Sequence, residues 1–358
     1  MMGYIAPFSK LVPRGTSFGS LLSLLLLIYF GSCTIATADT NPALALSGGG
    51  KIIIATNRAR VDGETRSTTA AFSARERTET LSFAVVDAAQ GETTDGQPIN
   101  VRLVEPQEVG QLFSRHRETQ PVLVYIHGFD NTLESAVHLA NHVANKIKFD
   151  GDLVVFAWPS QGTLSAAGYR ADVTVVEPSK SAFSDLLQTL IASPSVDRIH
   201  IISHSLGNRL LIGALVNMAH VPKLGQIVLC SPDLERAEFL RSVPQVISVV
   251  QGATLWVSNS DRALLVAPTF GGGGTRAGLV TDIDEPIVMA NLATIDVSRE
   301  TSLFAFNHNA YMQVDLLFAD LADVFNPGAM RPWLNPTKRR HYAKKATRDS
   351  KEYWEFRR

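Results

Sequence analysis

The sequence predicts an α/β fold built on a mainly parallel sheet with helices on both faces. Short apolar runs rich in β-branched residues alternate with segments whose apolar residues recur at three-to-four spacing, the pattern of strand–helix–strand crossovers. In residues 198–215 a strand-like run, Ile199 to Ile202, passes within a few residues into a helical pattern carrying Leu210, Leu211, Ala214 and Leu215. The chain has 358 residues, 45% of them hydrophobic, which suits one large domain with tails.

Taken in order, a polar, Gly-rich joint at residues 47–50 leads into a first strand, Lys51-Ile52-Ile53-Ile54-Ala55-Thr56. Residues 57–80 are charged and Thr-rich and read as a surface excursion. Residues 81–86 and 99–104 are weaker strands, and residues 108–117 have helical character. Residues 121–126 form a clear buried strand ended by His127-Gly128-Phe129. Residues 132–148 are a helix with Leu133, Val137, Leu139, Ala140, Val143 and Ile147 close to helical spacing, and residues 153–157 are a strand closed by Trp158-Pro159-Ser160. A helix over 181–191 precedes the strand–helix junction; strands at 227–229 and 253–257 follow it. A strand-like run at 287–295 and an amphipathic helix at 311–325 complete the pattern. The expected organisation is a leader (1–38), a linker (39–50), an α/β domain (51–327, its opening strands within 51–118) and a basic tail (328–358).

The leader has Lys10 and Arg14 before a strongly apolar run centred on residues 21–28, the order of a secretory signal. Ala36-Thr37-Ala38 before Asp39 fits a signal-peptidase site. Phe30-Gly31-Ser32-Cys33 instead resembles a lipobox, in which Cys33 would be lipidated and become the first residue. An uncleaved anchor is the third reading, because the run is just long enough to span a bilayer. Export to the periplasm, or tethering to the membrane, is therefore expected. Cys230, the second of two cysteines, ends an apolar run and reads as packing.

With 33 basic and 34 acidic residues the chain lacks the basic excess of a general nucleic-acid binder. From residue 331 onward, however, there are ten Lys or Arg against three Asp or Glu. That composition reads as a solvated tail, or as a contact with an anionic membrane surface alongside the leader or a lipidated Cys33. A Gly271 to Gly274 run reads as a solvated loop or a flap over a cleft. No Cys or His cluster has metal-ligand spacing, and there is no dinucleotide fingerprint or P-loop, so neither metal nor cofactor is expected.

The junction itself carries the chemistry. In Ser203-His204-Ser205-Leu206-Gly207-Asn208, small residues stand two away from Ser205 on both sides, the composition of a nucleophile elbow, with Ser at the first small position where Gly is usual. A serine hydroxyl is a poor nucleophile near neutral pH. It needs a base within hydrogen-bond reach and a third group to orient that base.

The ordered set Ala55-Thr56-Asn57-Arg58, His127-Gly128-Phe129, Trp158-Pro159-Ser160, Ser203 to Asn208, Ser231-Pro232-Asp233, Ser260-Asp261-Arg262-Ala263-Leu264 and Asn307-His308-Asn309 resembles the α/β-hydrolase fold. Within that fold it is similar to a bacterial family of α/β hydrolases of unknown function, over roughly residues 51–325. The resemblance implies the chain order nucleophile, acid, histidine. Only His308 and His341 lie beyond the plausible acids, and His341 sits in the basic Lys338-Arg339-Arg340 segment, so His308 is the expected base. The oxyanion donors implied are the backbone amides of Leu206 and Phe129. Three carboxylates compete for the acid. Asp233 has a ready structural role at a helix start, Asp296 closes the run before His308, and Asp261, in a polar turn after a strand, matches the family's acid position. The expectation is a serine hydrolase acting on a small acyl ester or related compound through Ser205, Asp261 and His308. The competing class is a non-catalytic hydrolase-fold binding protein at the cell envelope.

Overall fold

The computed structural model describes residues 44–61, 67–87, 97–113, 119–218, 221–300, 315–326, 331 and 333–357. The leader, Cys33 and His308 lie outside the described residues. The strands are β1 (Ile52–Arg60), β2 (Phe72–Val86), β3 (Val101–Val104), β4 (Gln120–Ile126), β5 (Asp152–Phe156) and β6 (Val196–His204). They continue as β7 (Leu224–Cys230), β8 (Gly252–Val257), β9 (Leu292–Asp296), β10 (Tyr342–Ala346) and β11 (Glu352–Phe356). The longer helices are α1 (Leu133–Lys146), α2 (Ala166–Val176), α3 (Ser179–Ala192), α4 (Gly207–Leu215), α5 (Arg236–Ser248), α6 (Arg262–Gly271) and α7 (Asp315–Phe325).

All these strands join one sheet in the order β10-β11-β9-β8-β7-β6-β4-β5-β1-β2-β3. From β1 through β5, β4, β6, β7 and β8 to β9 and β11 every pair is parallel. Antiparallel pairs close both ends, β1–β2–β3 on one side and β10–β11 on the other. The central strands are mostly apolar because both faces are covered. Val122, Val124 and Ile126 of β4 pack with α3, α4 and α5, while Leu123 and Tyr125 face α1 and α7. Alternation along each strand thus divides the core into two layers.

This topology decides where a ligand can sit. The chain leaves β4 into α1 on one face, returns through β5, then crosses to β6 on the other side of β4 and leaves into α4 on the opposite face. The loops after β4 and β6 therefore part above the sheet and open a crevice at its carboxyl edge.

Several expectations change. Residues 57–60 extend β1, and β2 takes up residues 72–86, so much of the expected surface excursion is sheet, with residues 74–77 and 79–80 exposed as expected. Asn57 and Arg58 are buried although polar, because Asn57 Nδ2 donates to Ser179 Oγ (3.0 Å) and Arg58 donates to the carbonyls of Ala74, Trp158 and Ser160. The strand predicted at 287–295 is confined to β9. The helix predicted at 108–117 is a 3₁₀ turn at Pro106–Glu108 and one turn at Val109–Leu112, with residues 114–118 outside those described. α2 is absent from the sequence reading. Its buried positions Tyr169, Asp172 and Val176 have helical spacing, but the polar Asp172 interrupts the apolar stripe.

The basic tail is a hairpin that extends the sheet. Phe356 and Tyr342 pack edge-to-face (5.2 Å) in the core layer beside α7, and Trp333 stacks on Trp354. Several of its cations have carboxylate partners, among them Lys338–Asp323 (2.7 Å), Lys344–Glu352 (2.6 Å) and Arg357–Glu355 (2.7 Å). The lysines on β10 also protect an edge strand from pairing with other chains.

His200 on β6 is buried between Phe149 and Phe325, and its Nδ1 accepts from the Gln226 amide (3.1 Å). Burial, helped by the charge of Arg198, pushes its pKa down from 6.5 to about 4. Its neutral form is native and its charged form favours unfolding. This penalty is absent above pH 6.5, grows as pH falls, and levels off below about pH 4. Between those limits wild-type stability should fall about 1.4 kcal/mol per pH unit more steeply than that of His200→Gln. Urea unfolding at a series of pH values measures this, and parallel slopes would refute it.

Candidate active site

β6 ends at His204 and α4 begins at Gly207, so the chain turns from strand to helix over two residues. Ser205 occupies the turn with φ of 52°, a left-handed conformation that costs a residue with a side chain of order 1 kcal/mol or more. Its surroundings hold it there. The Ser205 amide donates to the Cys230 carbonyl (3.0 Å), and the Asn208 side-chain amide is shared among the carbonyls of Ser203, Ser205 and Cys230 at 3.1–3.2 Å. A Cβ at Gly207 would stand 2.7 Å from the His127 carbonyl oxygen, so only glycine lets α4 pass the end of β4. A Cβ at Gly128 would stand 2.7 Å from the Ser205 Cβ, which brings the loop after β4 directly against the elbow. Ser203 is different: it lies in the extended strand, fully buried, and its hydroxyl has no partner among the described residues.

The loop after β4 is built on a buried stack. His127 lies 4.8 Å from Trp158 with ring planes 9° apart, and the Trp158 indole N–H donates back to the His127 carbonyl (2.9 Å). The His127 nitrogens face the carbonyls of Gly128 (2.9 Å) and Trp158 (3.1 Å). Burial drives its pKa down to about 3, so the ring is neutral and braces backbone. The Asn131 side chain donates to the Phe129 carbonyl (2.9 Å). Asp130 adopts φ of 60°, and its amide reaches Asp172 Oδ2 (3.4 Å). Asp172 also accepts from Ser160 Oγ (2.5 Å) and the Gln161 amide (2.7 Å). Burial, then the neighbouring Asp172 charge, raises the Asp130 pKa to about 6.

The three candidate acids have separate settings. Asp261 follows β8 at the carboxyl edge, is buried, and caps α6 through Oδ1 to the Leu264 amide (3.0 Å). The helix-start role expected of Asp233 thus belongs to Asp261. α5 begins later, at Arg236 with Glu235 as its cap residue, and Asp233 has another task. Its Oδ2 accepts from the Tyr169 hydroxyl (2.8 Å), and its Oδ1 lies 2.8 Å from Arg276 Nε, an ionic contact too oblique for a hydrogen bond. Both side chains of that pair are almost fully buried. Asp296, at the end of β9, accepts from the Ser298 amide (2.9 Å) and hydroxyl, and its pKa is raised by burial.

Ser205, Leu206, Gly128 and Phe129 therefore meet at the crevice between β4 and β6, with Asp261 two strands away at the same sheet edge. Trp158 is packing, Ser160 serves Asp172, and Tyr169 serves Asp233. Cys230 is buried, its thiol pKa pushed up by burial, and it works through its carbonyl. The run from Gly271 to Gly274 is exposed, yet the carbonyls of Gly272 (2.9 Å) and Gly274 (3.3 Å) accept from Arg276. Asn208, which the sequence marks only as the end of the elbow string, and Arg276, which follows the glycine run, have roles that appear only in the structure.

A family model described as alpha/beta hydrolase of unknown function (DUF900) matches residues 105–323, which include Phe129, Ser205, Leu206, Asp261 and His308. No curated protein matches the chain.

Asn208→Ala should remove a donor shared by three buried carbonyls, of which those of Ser205 and Cys230 keep a backbone donor, and lower stability by about 2 kcal/mol. Urea unfolding measures this; a loss below about 1 kcal/mol would show that the elbow does not depend on Asn208.

Proposed function

Since the chain belongs to the alpha/beta hydrolases of unknown function, we propose that it is a serine hydrolase cleaving an ester or related acyl compound through an acyl-enzyme. The observation that carries this reading is the left-handed Ser205 at the strand-to-helix apex. Packing and hydrogen bonds maintain that strained turn, and it suits a hydroxyl that must be presented above the sheet. A serine serving only as a helix start needs no such backbone.

In the proposed reaction His308 takes the Ser205 hydroxyl proton as Oγ bonds to the acyl carbon, and the carbonyl electron pair moves onto oxygen. The amides of Leu206 and Phe129 stabilise that oxyanion. Collapse breaks the bond to the alcohol, which leaves with the proton from His308. Water then repeats the sequence on the acyl-enzyme, with His308 as base, and releases the acid and Ser205. Asp261 holds the imidazole tautomer and balances its charge. Its place at the end of β8 supports this role, and the engagement of both Asp233 oxygens argues against the rival acid.

Ser205→Ala should abolish labelling by a fluorophosphonate probe while the protein stays folded, and Ser203→Ala should label normally. Asp261→Asn should lower turnover of acyl esters by roughly 10⁴-fold. Asp233→Asn should lower thermal stability by roughly 3–5 kcal/mol, because it strands a buried cation, and should lower turnover far less than Asp261→Asn does. Full labelling of Ser205→Ala would overturn the nucleophile, and an active Asp261→Asn beside an inactive but folded Asp233→Asn would move the acid.

We further propose export, with mature protein beginning at Asp39 or at a lipidated Cys33. Terminal sequencing and palmitate incorporation in cells separate these, and full-length protein recovered from the cytoplasm would overturn both.

A further inference from the structure

The buried cluster Tyr169–Asp233–Arg276 lies outside the proposed triad but touches both of the elements that would supply oxyanion donors. The Asp233 backbone amide donates to the Ser205 carbonyl (3.2 Å), which ties the loop after β7 to the peptide whose nitrogen is the Leu206 amide. The Asp233 carboxylate receives the Tyr169 hydroxyl (2.8 Å), and the Tyr169 ring packs edge-to-face on Phe129 (5.4 Å, 82°). One turn further along α2, Asp172 reaches the amide of Asp130, the residue after Phe129. One face of α2 therefore grips the Phe129 loop at two points, and Asp233 fixes that face relative to the elbow. Arg276 sits on the far side of Asp233, its guanidinium enclosed by the carbonyls of Gly272 and Gly274. A Cβ at Gly271 would meet the Tyr169 ring at 2.9 Å, so the glycine run also seats the tyrosine.

We infer that Tyr169, Asp233 and Arg276 form a positioning unit that sets the spacing between the Phe129 and Leu206 amides. This inference rests on the serine-hydrolase reading above. A cluster that served only the fold would need no arm onto the loop after β4. This one is connected to both halves of the crevice, which the β4–β6 pairing and the close approach of Gly128 to Ser205 hold at the base while the chain beyond leaves toward opposite faces of the sheet. Small displacements of such donors act on the transition state far more than on substrate binding.

The test compares wild type, Tyr169→Phe, which keeps the ring against Phe129 and removes only the hydroxyl, and Arg276→Lys, which keeps the charge but loses the fork that reaches the glycine carbonyls. Three quantities are measured for each: the second-order rate of fluorophosphonate labelling, kcat and KM for an aryl ester, and the inhibition constant of an acyl trifluoromethyl ketone, whose adduct places an oxyanion between the two amides. The expected result is a roughly 10- to 100-fold fall in labelling rate, kcat and ketone affinity together in Tyr169→Phe, with KM changed less than about threefold. Arg276→Lys should fall between this variant and wild type. Wild-type rates per folded molecule in Tyr169→Phe, even with a lowered Tm, would reduce the cluster to a structural role and overturn the inference alone. A fall carried by KM with ketone affinity unchanged would overturn it as well. Wild-type protein that does not label at Ser205 would overturn the hydrolase reading and this inference with it.

Discussion

A single serine held at φ of 52° between a strand and a helix is the constraint around which the rest of the molecule is arranged. Left to itself that backbone would relax into the helix or the strand, since either is lower in energy for a residue with a Cβ. It persists because four neighbours over-determine it. Gly207 lets α4 approach the end of β4, and Gly128 lets the preceding loop lie against Ser205. Asn208 ties three carbonyls together, and the Cys230 carbonyl on the adjacent strand receives the Ser205 amide. None of these contacts is strong by itself. Each closes off one route by which the turn could unwind.

The crossing of the chain from β5 to β6 over β4 gives that turn its surroundings. It places the two loops that matter on diverging paths and leaves a crevice between them, the position at which α/β sheets accept ligands. Divergence also creates a mechanical problem, because the β4–β6 pairing and the approach of Gly128 to Ser205 fix the crevice only at its base. Buried polar groups supply that link: His127 against Trp158, Asp172 beneath Asp130, and Asp233 between Tyr169 and Arg276. Such groups cost desolvation energy and would be poor choices for stability alone. Other buried polar groups, such as His200 and Asp320, lie elsewhere in the core, but these three sets share the carboxyl edge of the sheet and contact the loops that border the crevice.

The C-terminal hairpin shows how misleading charge density is without neighbours. Ten basic residues in its last stretch suggest a solvated or membrane-seeking tail. In the fold, its aromatic residues enter the core and several of its cations meet carboxylates from the hairpin itself, from α7 and from the loop before β9. Alternation in the segment from 352 to 356 is the strand signal, with Phe356 on the buried side, but it is short and interrupted by charge.

By itself the sequence determined the class of fold, the order of the central strands along the chain, and the elbow, because each depends on local rules. Buried parallel strands are mostly apolar, helices repeat at 3.6 residues, and a sharp strand-to-helix turn needs small residues on both sides of its apex. Only the tertiary structure decided what depends on residues far apart in the chain. That Arg58 belongs inside follows from carbonyls a hundred residues away, and that Asp233 is a buried ion-pair partner follows from Arg276 and Tyr169 on other elements. That α2 exists at all rests on the pairing of its polar Asp172 with Ser160 and the loop after β4. A polar residue announces in the sequence only that it needs a partner, and which partner satisfies it is settled when distant segments are packed together and water is excluded.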